Sequence, residues 1–303
     1  MVFILEKGMG FCGLVCALCS AVDCPGCKVK FSDGELCSIG KCAIQKDTDG
    51  CYACPDCPCG EDMLQGKRNR AFNRYALEFG KQALLDRLRI NDENGIIYHK
   101  PDGLAGDYDT PETEDEIYRL LRFGTDDPYR SCPTLESEHF ILRLVSETDA
   151  EDLLVCYSDP KAWEIFNTDR CTSDFRYGTL AEMMECIRLW LDAYRDKFYI
   201  RFSVLNKATQ KPVGTVEMFG SLIAKGRGGV LRIDVCSAYE TKEFISELLR
   251  LADDHFFALF NVERIISKAI PTAIERIEAL RSAGFAPFAW EPGRDHYFSK
   301  TTR

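Results

Sequence analysis

The run Leu231-Arg-Ile-Asp-Val235-Cys-Ser-Ala-Tyr239-Glu240-Thr-Lys-Glu-Phe-Ile245 decides the fold of this chain. It reads as the end of a β-strand, Val230–Val235, passing through a short break into a long helix, Glu240–Phe260. On that helix Phe244, Leu248, Leu251, Ala252, Phe256 and Leu259 fall together as one apolar stripe. Working upstream, strands are predicted at Phe140–Val145, Tyr199–Leu205 and Pro212–Met218, with the polar turn Lys207–Lys211 between the last two. Helices are predicted at Thr148–Tyr157, ending before Asp159-Pro160, and at Thr179–Tyr194, where Met183, Ile187, Trp190 and Tyr194 share a face. Downstream follow a strand at Arg264–Lys268, a helix at Thr272–Ala283 stopped by Gly284, and short strands around Ala286–Trp290 and Tyr297–Lys300. Strands and helices mixed in this way make an α+β domain, a mixed central sheet with helices on its faces.

Three local stretches in this order resemble the GNAT acyltransferases, and in particular their Rim-type branch, over residues 134–303. Lys211-Pro-Val-Gly214-Thr-Val-Glu217 resembles the family's central strand. Leu231–Val235 leading to Tyr239 resembles the splayed strand that enters the cofactor loop, and Thr272–Phe285 resembles the helix closing in "LGF". The resemblance implies that two neighbouring strands part beside Val235, that the pantetheine arm of acetyl-CoA lies between them, and that the following helix start receives the pyrophosphate. A helix N-terminus offers unpaired amides and the positive end of a dipole, which suits an anion. Carried onto this chain, the cofactor contacts fall at Asp234, Val235, Cys236, Tyr239, Thr241, Lys242 and Phe244. The family's loop usually reads Tyr-Arg-Gly-Lys-Gly-Tyr-Ala; here it is Tyr239-Glu240-Thr241-Lys242-Glu243-Phe244-Ile245, without either glycine and with Glu240 at a basic position. Two readings stay open: a site that holds acetyl-CoA by its pantetheine arm and Lys242, or a domain that has lost the cofactor.

Transfer in this family is direct: a base takes a proton from an amine, the amine attacks the thioester, and an acid reprotonates the thiolate. Glu217, on the central strand, is the candidate base and Tyr297 the candidate acid, with Tyr239 as a second choice for the acid. Where some relatives place an Asn in the last helix, this chain has Ala273.

The other half of the chain has a different composition. Of 16 cysteines in 303 residues, eleven lie within the first 59: Cys12, Cys16, Cys19, Cys24, Cys27, Cys37, Cys42, Cys51, Cys54, Cys57 and Cys59. Short C-x2-C steps point two thiolates at a common ion, and local thiol clusters in a reducing cytosol fit metal better than disulfides. No histidine precedes His99, so such sites would be all-sulfur, which suits Zn²⁺ or, as the alternative, an iron–sulfur cluster. The opening Cys12-Gly-Leu-Val-Cys16-Ala-Leu-Cys19 resembles a family of short cysteine-rich domains of unknown function, over residues 8–90, and implies a metal site without an activity. The same spacing occurs in radical-SAM enzymes, but nothing in 60–130 supplies the barrel they need.

Residues 1–60 show little apolar periodicity and need a tie beyond hydrophobic burial. A helix is predicted over 65–90, with Phe72, Ala76, Phe79 and Ala83 on one stripe, and residues 91–116, with nine acidic residues and one lysine, read as a solvated loop. The polar stretch Thr125–Ser137 reads as a linker, so the expected domains are 1–130, cysteine-rich and metal-stabilised, and 134–303, GNAT-like.

The net charge of −10 argues against unspecific binding to nucleic acid or anionic membrane. The apolar start is shorter than a signal sequence, no apolar run approaches the ~18 residues of a membrane span, and a cytoplasmic address follows as an expectation. The functional expectation is an acyl-CoA-dependent N-acyltransferase acting on an amine of a small molecule or protein, with the first domain as a zinc module. The alternative is a non-catalytic GNAT-like binding or sensor protein.

Overall fold

The computed structural model describes residues 4–19, 24–30, 36–100, 105–169, 171–223 and 226–302. The chain divides into two compact units, Met1–Thr125 and Asp126–Arg303.

Among the described residues of the first unit, besides the single turn Cys27–Lys30, the α-helices are α1 (Ser38–Gln45), α2 (Lys67–Phe79), α3 (Lys81–Glu93) and α4 (Glu114–Phe123). The single helix expected over 65–90 is two helices. Gly80, at φ 91°, ends α2 and the chain restarts at once as α3, a backbone conformation that glycine adopts without a steric cost. Thr113 starts α4 with a reciprocal cap: Glu116 N–H donates to Thr113 Oγ1 at 3.2 Å and Thr113 N–H to Glu116 Oε2 at 3.0 Å. Phe72, Tyr75, Leu84, Leu88, Ile117 and Leu121 form the core of these helices, and Met9, Val15 and Leu18 of the cysteine-rich segment are buried in it. The tie that this segment needs is therefore partly apolar. Asn69 and Asn73 of α2 add to it by donating to Cys12 O at 3.2 and 2.9 Å. The acidic segment is also more than a solvated loop, since Tyr98 and Tyr108 are buried in the same core.

The second unit is built on eight strands: β1 (Leu135–Glu136), β2 (Phe140–Leu144), β3 (Ile200–Asn206), β4 (Lys211–Ile223), β5 (Gly226–Val235), β6 (Arg264–Lys268), β7 (Ala286–Phe288) and β8 (Tyr297–Thr301). They lie in the order β1-β2-β3-β4-β5-β6-β8-β7, and of these neighbours only β5 and β6 run parallel. The stretch expected as a linker belongs here: Leu135–Glu136 pairs with β2, and Cys132 N–H donates to Tyr194 Oη at 3.1 Å. The division thus falls after Thr125, ahead of the expected 130–134 boundary.

Four helices cover the sheet: α5 (Ala150–Tyr157), α6 (Leu180–Arg195), α7 (Lys242–Leu251, prolonged by a π-helical turn over Ala252–Phe256) and α8 (Ile274–Ser282). Side chains alternate between the faces of a strand. On β3, Phe202 stacks on Phe256 at 5.6 Å between ring centres. Its neighbours Arg201 and Ser203 face the other way, Arg201 toward Tyr157 of α5 and Trp190 of α6. That gives a helix pair on each face, the mixed sheet expected from the sequence.

On β4 the backbone approaches β5 so closely that a Cβ at Gly214 would stand 2.3 Å from Asp234 O and 2.6 Å from Val235 Cα. Gly214→Ala is expected to lower stability by about 2 kcal/mol or more, read as a shifted urea midpoint with unchanged slope.

Candidate functional site

β5 pairs with β4 along its whole length, from Ile223↔Gly226 to Gly214↔Val235. Its other edge pairs with β6 over only four positions, Gly228↔Arg264 to Leu231↔Ser267. Beyond them β6 stays with β8 through Lys268↔Tyr297, and Ala269 N–H donates to His296 O at 2.9 Å. The strands therefore part after Leu231, and Arg232–Val235 have no strand partner on that edge among the described residues.

From the end of β5 the chain makes one tight turn over Ser237–Tyr239. Ser237 N–H donates to Asp159 Oδ2 at 2.9 Å and fixes that turn. Thr241 then caps α7, its Oγ1 accepting Phe244 N–H at 3.3 Å. Phe244 is turned into the core, 4.2 Å from the ring of Phe140, with Tyr239 packed on it at 5.1 Å.

Helix α8 closes on this start. Lys242 N–H, an amide of α7's first turn, donates to Glu275 Oε2 at 3.0 Å. The Lys242 ammonium reaches Glu278 Oε2 at 3.2 Å. Arg276 holds Glu240 with two bonds of 2.6 Å, the side chains 3% and 9% exposed. The glycine-less loop is thus satisfied by the chain's own carboxylates and cations.

On the sheet face toward α5 and α6 lies a buried ionic row. Arg201, Glu217 and Arg232 are directly opposite one another on β3, β4 and β5. Glu217 gives one oxygen to each guanidinium, and Arg201 also donates to Asp234 Oδ2, Tyr157 Oη and Thr215 Oγ1, each at 3.0 Å. Trp190 and Phe175 cover the Arg201 guanidinium at 4.3 and 5.3 Å. Glu217, the expected general base, is the centre of this row. It is 1% exposed with one oxygen on each guanidinium, the arrangement of a buried counter-ion. The carboxylate of Asp234 also points into this row, on Arg201.

Asp169, from the loop between α5 and α6, ties the row to the far edge. Its carbonyl accepts from Arg232 at 2.7 Å, and its carboxylate takes Lys268 and the Tyr297 hydroxyl at 3.0 and 2.9 Å. Burial would raise the Asp169 pKa, but Lys268 and Tyr297 outweigh it and hold the group below the usual carboxylate range. Burial and the nearby Asp169 charge hold the Tyr297 proton well above the usual phenol range. Cys236 lies half-buried where the strands part, a free thiol in hydrogen-bond contact with the buried free thiol of Cys156. That bond lowers Cys236 while burial pushes Cys156 up.

The structure therefore brings Val235, Cys236, Tyr239, Thr241 and Lys242 together at the joint and turns Asp234 and Phe244 inward. Asp169, Glu275 and Arg276 went unread. The charged residues inside the predicted strands, Arg201, Glu217 and Arg232, were the available signal for the ionic row. A cavity of about 630 Å³ lies elsewhere, between α8 and the β7–β8 hairpin, lined by Ile277, Arg281, Phe288, His296 and Tyr297 among others.

In the first unit all eleven cysteines are free thiols. Cys16, Cys19, Cys24 and Cys27 line one cavity of about 120 Å³ with Leu14, Tyr98 and His99. Cys51 and Cys57 line another of about 240 Å³ against α2. Among the described residues no three Cys, His, Asp or Glu side chains converge as a closed metal site.

The second unit is a mixed sheet whose parallel pair parts beside a capped helix, and residues 139–286 within it match the family model described as "Acetyltransferase (GNAT) domain". Among curated proteins it is similar to the uncharacterized N-acetyltransferase YoaA of Bacillus subtilis, 23% identical over 133 residues, 44% of this chain and 71% of the relative. Among solved structures it is similar to ribosomal-protein-S5-alanine acetyltransferase from Vibrio fischeri (20% identity, 56% of this chain, 97% of that one, TM-score 0.44). Spermidine N-acetyltransferase from Vibrio cholerae gives 16% identity, 55% and 97% coverage and a TM-score of 0.42. No helix among the described residues is long and apolar enough to cross a membrane.

Removing the Glu217 carboxylate leaves two buried guanidiniums short of a counter-charge. Glu217→Ala is expected to destabilise the second unit by about 3–5 kcal/mol, measured by chemical denaturation. A fully stable but inactive variant is the result that restores Glu217 to the role of base.

Proposed function

We propose that the second unit transfers an acyl group from a CoA thioester to an amine. The observation that carries this reading is the parting of β5 and β6 after Leu231, which leaves a strand edge free to bond the amides of a pantetheine arm. The neutral amine nitrogen attacks the thioester carbonyl, the C–N bond forms, the C–S bond breaks, the thiolate leaves with its electron pair, and the proton that the nitrogen sheds passes to water. Tyr297 serves as the acid that returns a proton to sulfur, with Asp169 orienting its hydroxyl. Val235 and Cys236 border the pantetheine arm, and Thr241 and Lys242 face the diphosphate. The acceptor amine belongs to a small molecule or a protein, and the acidic surface favours a basic one.

The first unit is read as a metal-binding module. The four thiols around the smaller cavity, Cys16, Cys19, Cys24 and Cys27, are the set that fits a zinc ion or an iron–sulfur cluster by chemistry, and the Cys51–Cys59 run supplies a second group. Bound there, the metal would cross-link a segment whose own apolar contacts are few. The contacts of α8 with Glu240 and Lys242 favour a second reading, a GNAT-like domain that binds without catalysing.

Acetyl-CoA is expected to raise the melting temperature in a concentration-dependent way, by about 2.7 kcal/mol of stabilisation at a hundred times Kd. No shift at millimolar acetyl-CoA leaves the second reading. Tyr297→Phe is expected to lower kcat about a hundredfold or more while leaving the acetyl-CoA Kd unchanged, by steady-state kinetics and calorimetry. Metal analysis of the purified protein is expected to show zinc or iron bound, with a loss in Cys16→Ser/Cys27→Ser; a metal-free, stable protein removes the module.

A further inference from the structure

We propose that Glu275 sets the choice of thioester donor: its carboxylate stands where the diphosphate of CoA would sit, so the site selects against the nucleotide half and draws its affinity from the pantetheine arm. The proposal rests on the acyl-thioester reading above.

The argument is an accounting of what the start of α7 still offers an anion. Two amides of its first turn are committed, Lys242 N–H to Glu275 and Phe244 N–H to Thr241. Both nearby cations are committed too, the Lys242 ammonium to Glu278 and the Arg276 guanidinium to Glu240. Glu243 is exposed on the same turn, so Glu240, Glu243, Glu275 and Glu278 face Lys242 and Arg276, four carboxylates against two cations. An incoming diphosphate must expel Glu275 from the amide and then enters a field that is negative on balance. Of the four, Glu275 is the one that holds a backbone amide of the helix start and lies on an exposed position of α8 from which it can swing away. The pantetheine arm carries no charge and bonds the free edge beyond Leu231, where none of these contacts interferes.

A purely structural staple between α7 and α8 uses the same contact, and donor binding separates the two. Glu275→Gln keeps an oxygen on the Lys242 amide and removes the charge. The full chain and this variant are titrated by calorimetry with CoA and with pantetheine. The wild type is expected to bind the two compounds within about threefold of each other, and Glu275→Gln to bind CoA about tenfold tighter with pantetheine unchanged. Glu275→Ala, which removes the charge and also clears the amide, is expected to tighten CoA at least as much as Glu275→Gln, again with pantetheine unchanged. CoA binding that is unchanged or weaker in Glu275→Gln, with pantetheine bound by both proteins, overturns the role of Glu275 and leaves the acyltransferase reading standing. Binding of neither compound to either protein overturns both.

Discussion

The second unit depends on a guanidinium buried inside a β-sheet. Arg201 is 1% exposed and sits between Glu217 and Asp234, with Tyr157, Thr215, Trp190 and Phe175 around it. Taking a charge out of water costs several kcal/mol, which is recovered only when partners surround it with good geometry. The hydrogen-bonding partners come from β4, β5 and α5, so the row finds its counter-charges only when the strands lie in one register. A one-residue slip of β4 would carry Glu217 to the opposite face and leave the cation bare. The row is a poor source of stability and a strong source of specificity for this packing.

The same constraint shapes the joint. Arg232, anchored on Glu217 and on the Asp169 carbonyl, keeps β5 straight past Leu231 while β6 follows β8 through the Lys268–Asp169–Tyr297 contacts. The divergence of two parallel strands is thus maintained from both sides by side chains on one loop residue, Asp169. A cleft held by ion pairs is pre-organised, and pre-organisation lowers the ordering cost of a bound arm. The helix start beside it is equally pre-organised, but toward the chain's own carboxylates. A site with a ready slot and an occupied anion position is poised for the neutral part of a donor more than for its charged end.

The first unit solves a different problem. Its opening segment has too few apolar residues to fold alone, yet Met9, Val15 and Leu18 enter a core made by α2, α3 and α4, and two asparagines hold Cys12 O. Burial places the backbone, and six of the eleven thiols line two cavities at its margin.

By itself the sequence determined the order of strands and helices in the second unit, the stripes of α6 and α7, and the concentration of cysteines in the first. These are local periodicities, written within ten or twenty residues, and burial of one face is enough to express them. It also located the joint at Val235, while the cap at Thr241 came from the structure. Only the tertiary structure decided what the charged residues do. Glu240 and Arg276 are 36 residues apart, Lys242 and Glu275 33, and Arg201 and Glu217 16. A carboxylate on a strand looks the same in sequence whether it serves as a base or as a counter-ion. Which cation it meets is fixed by strand register and helix docking, and Coulomb attraction acts only across the short distances that those two set.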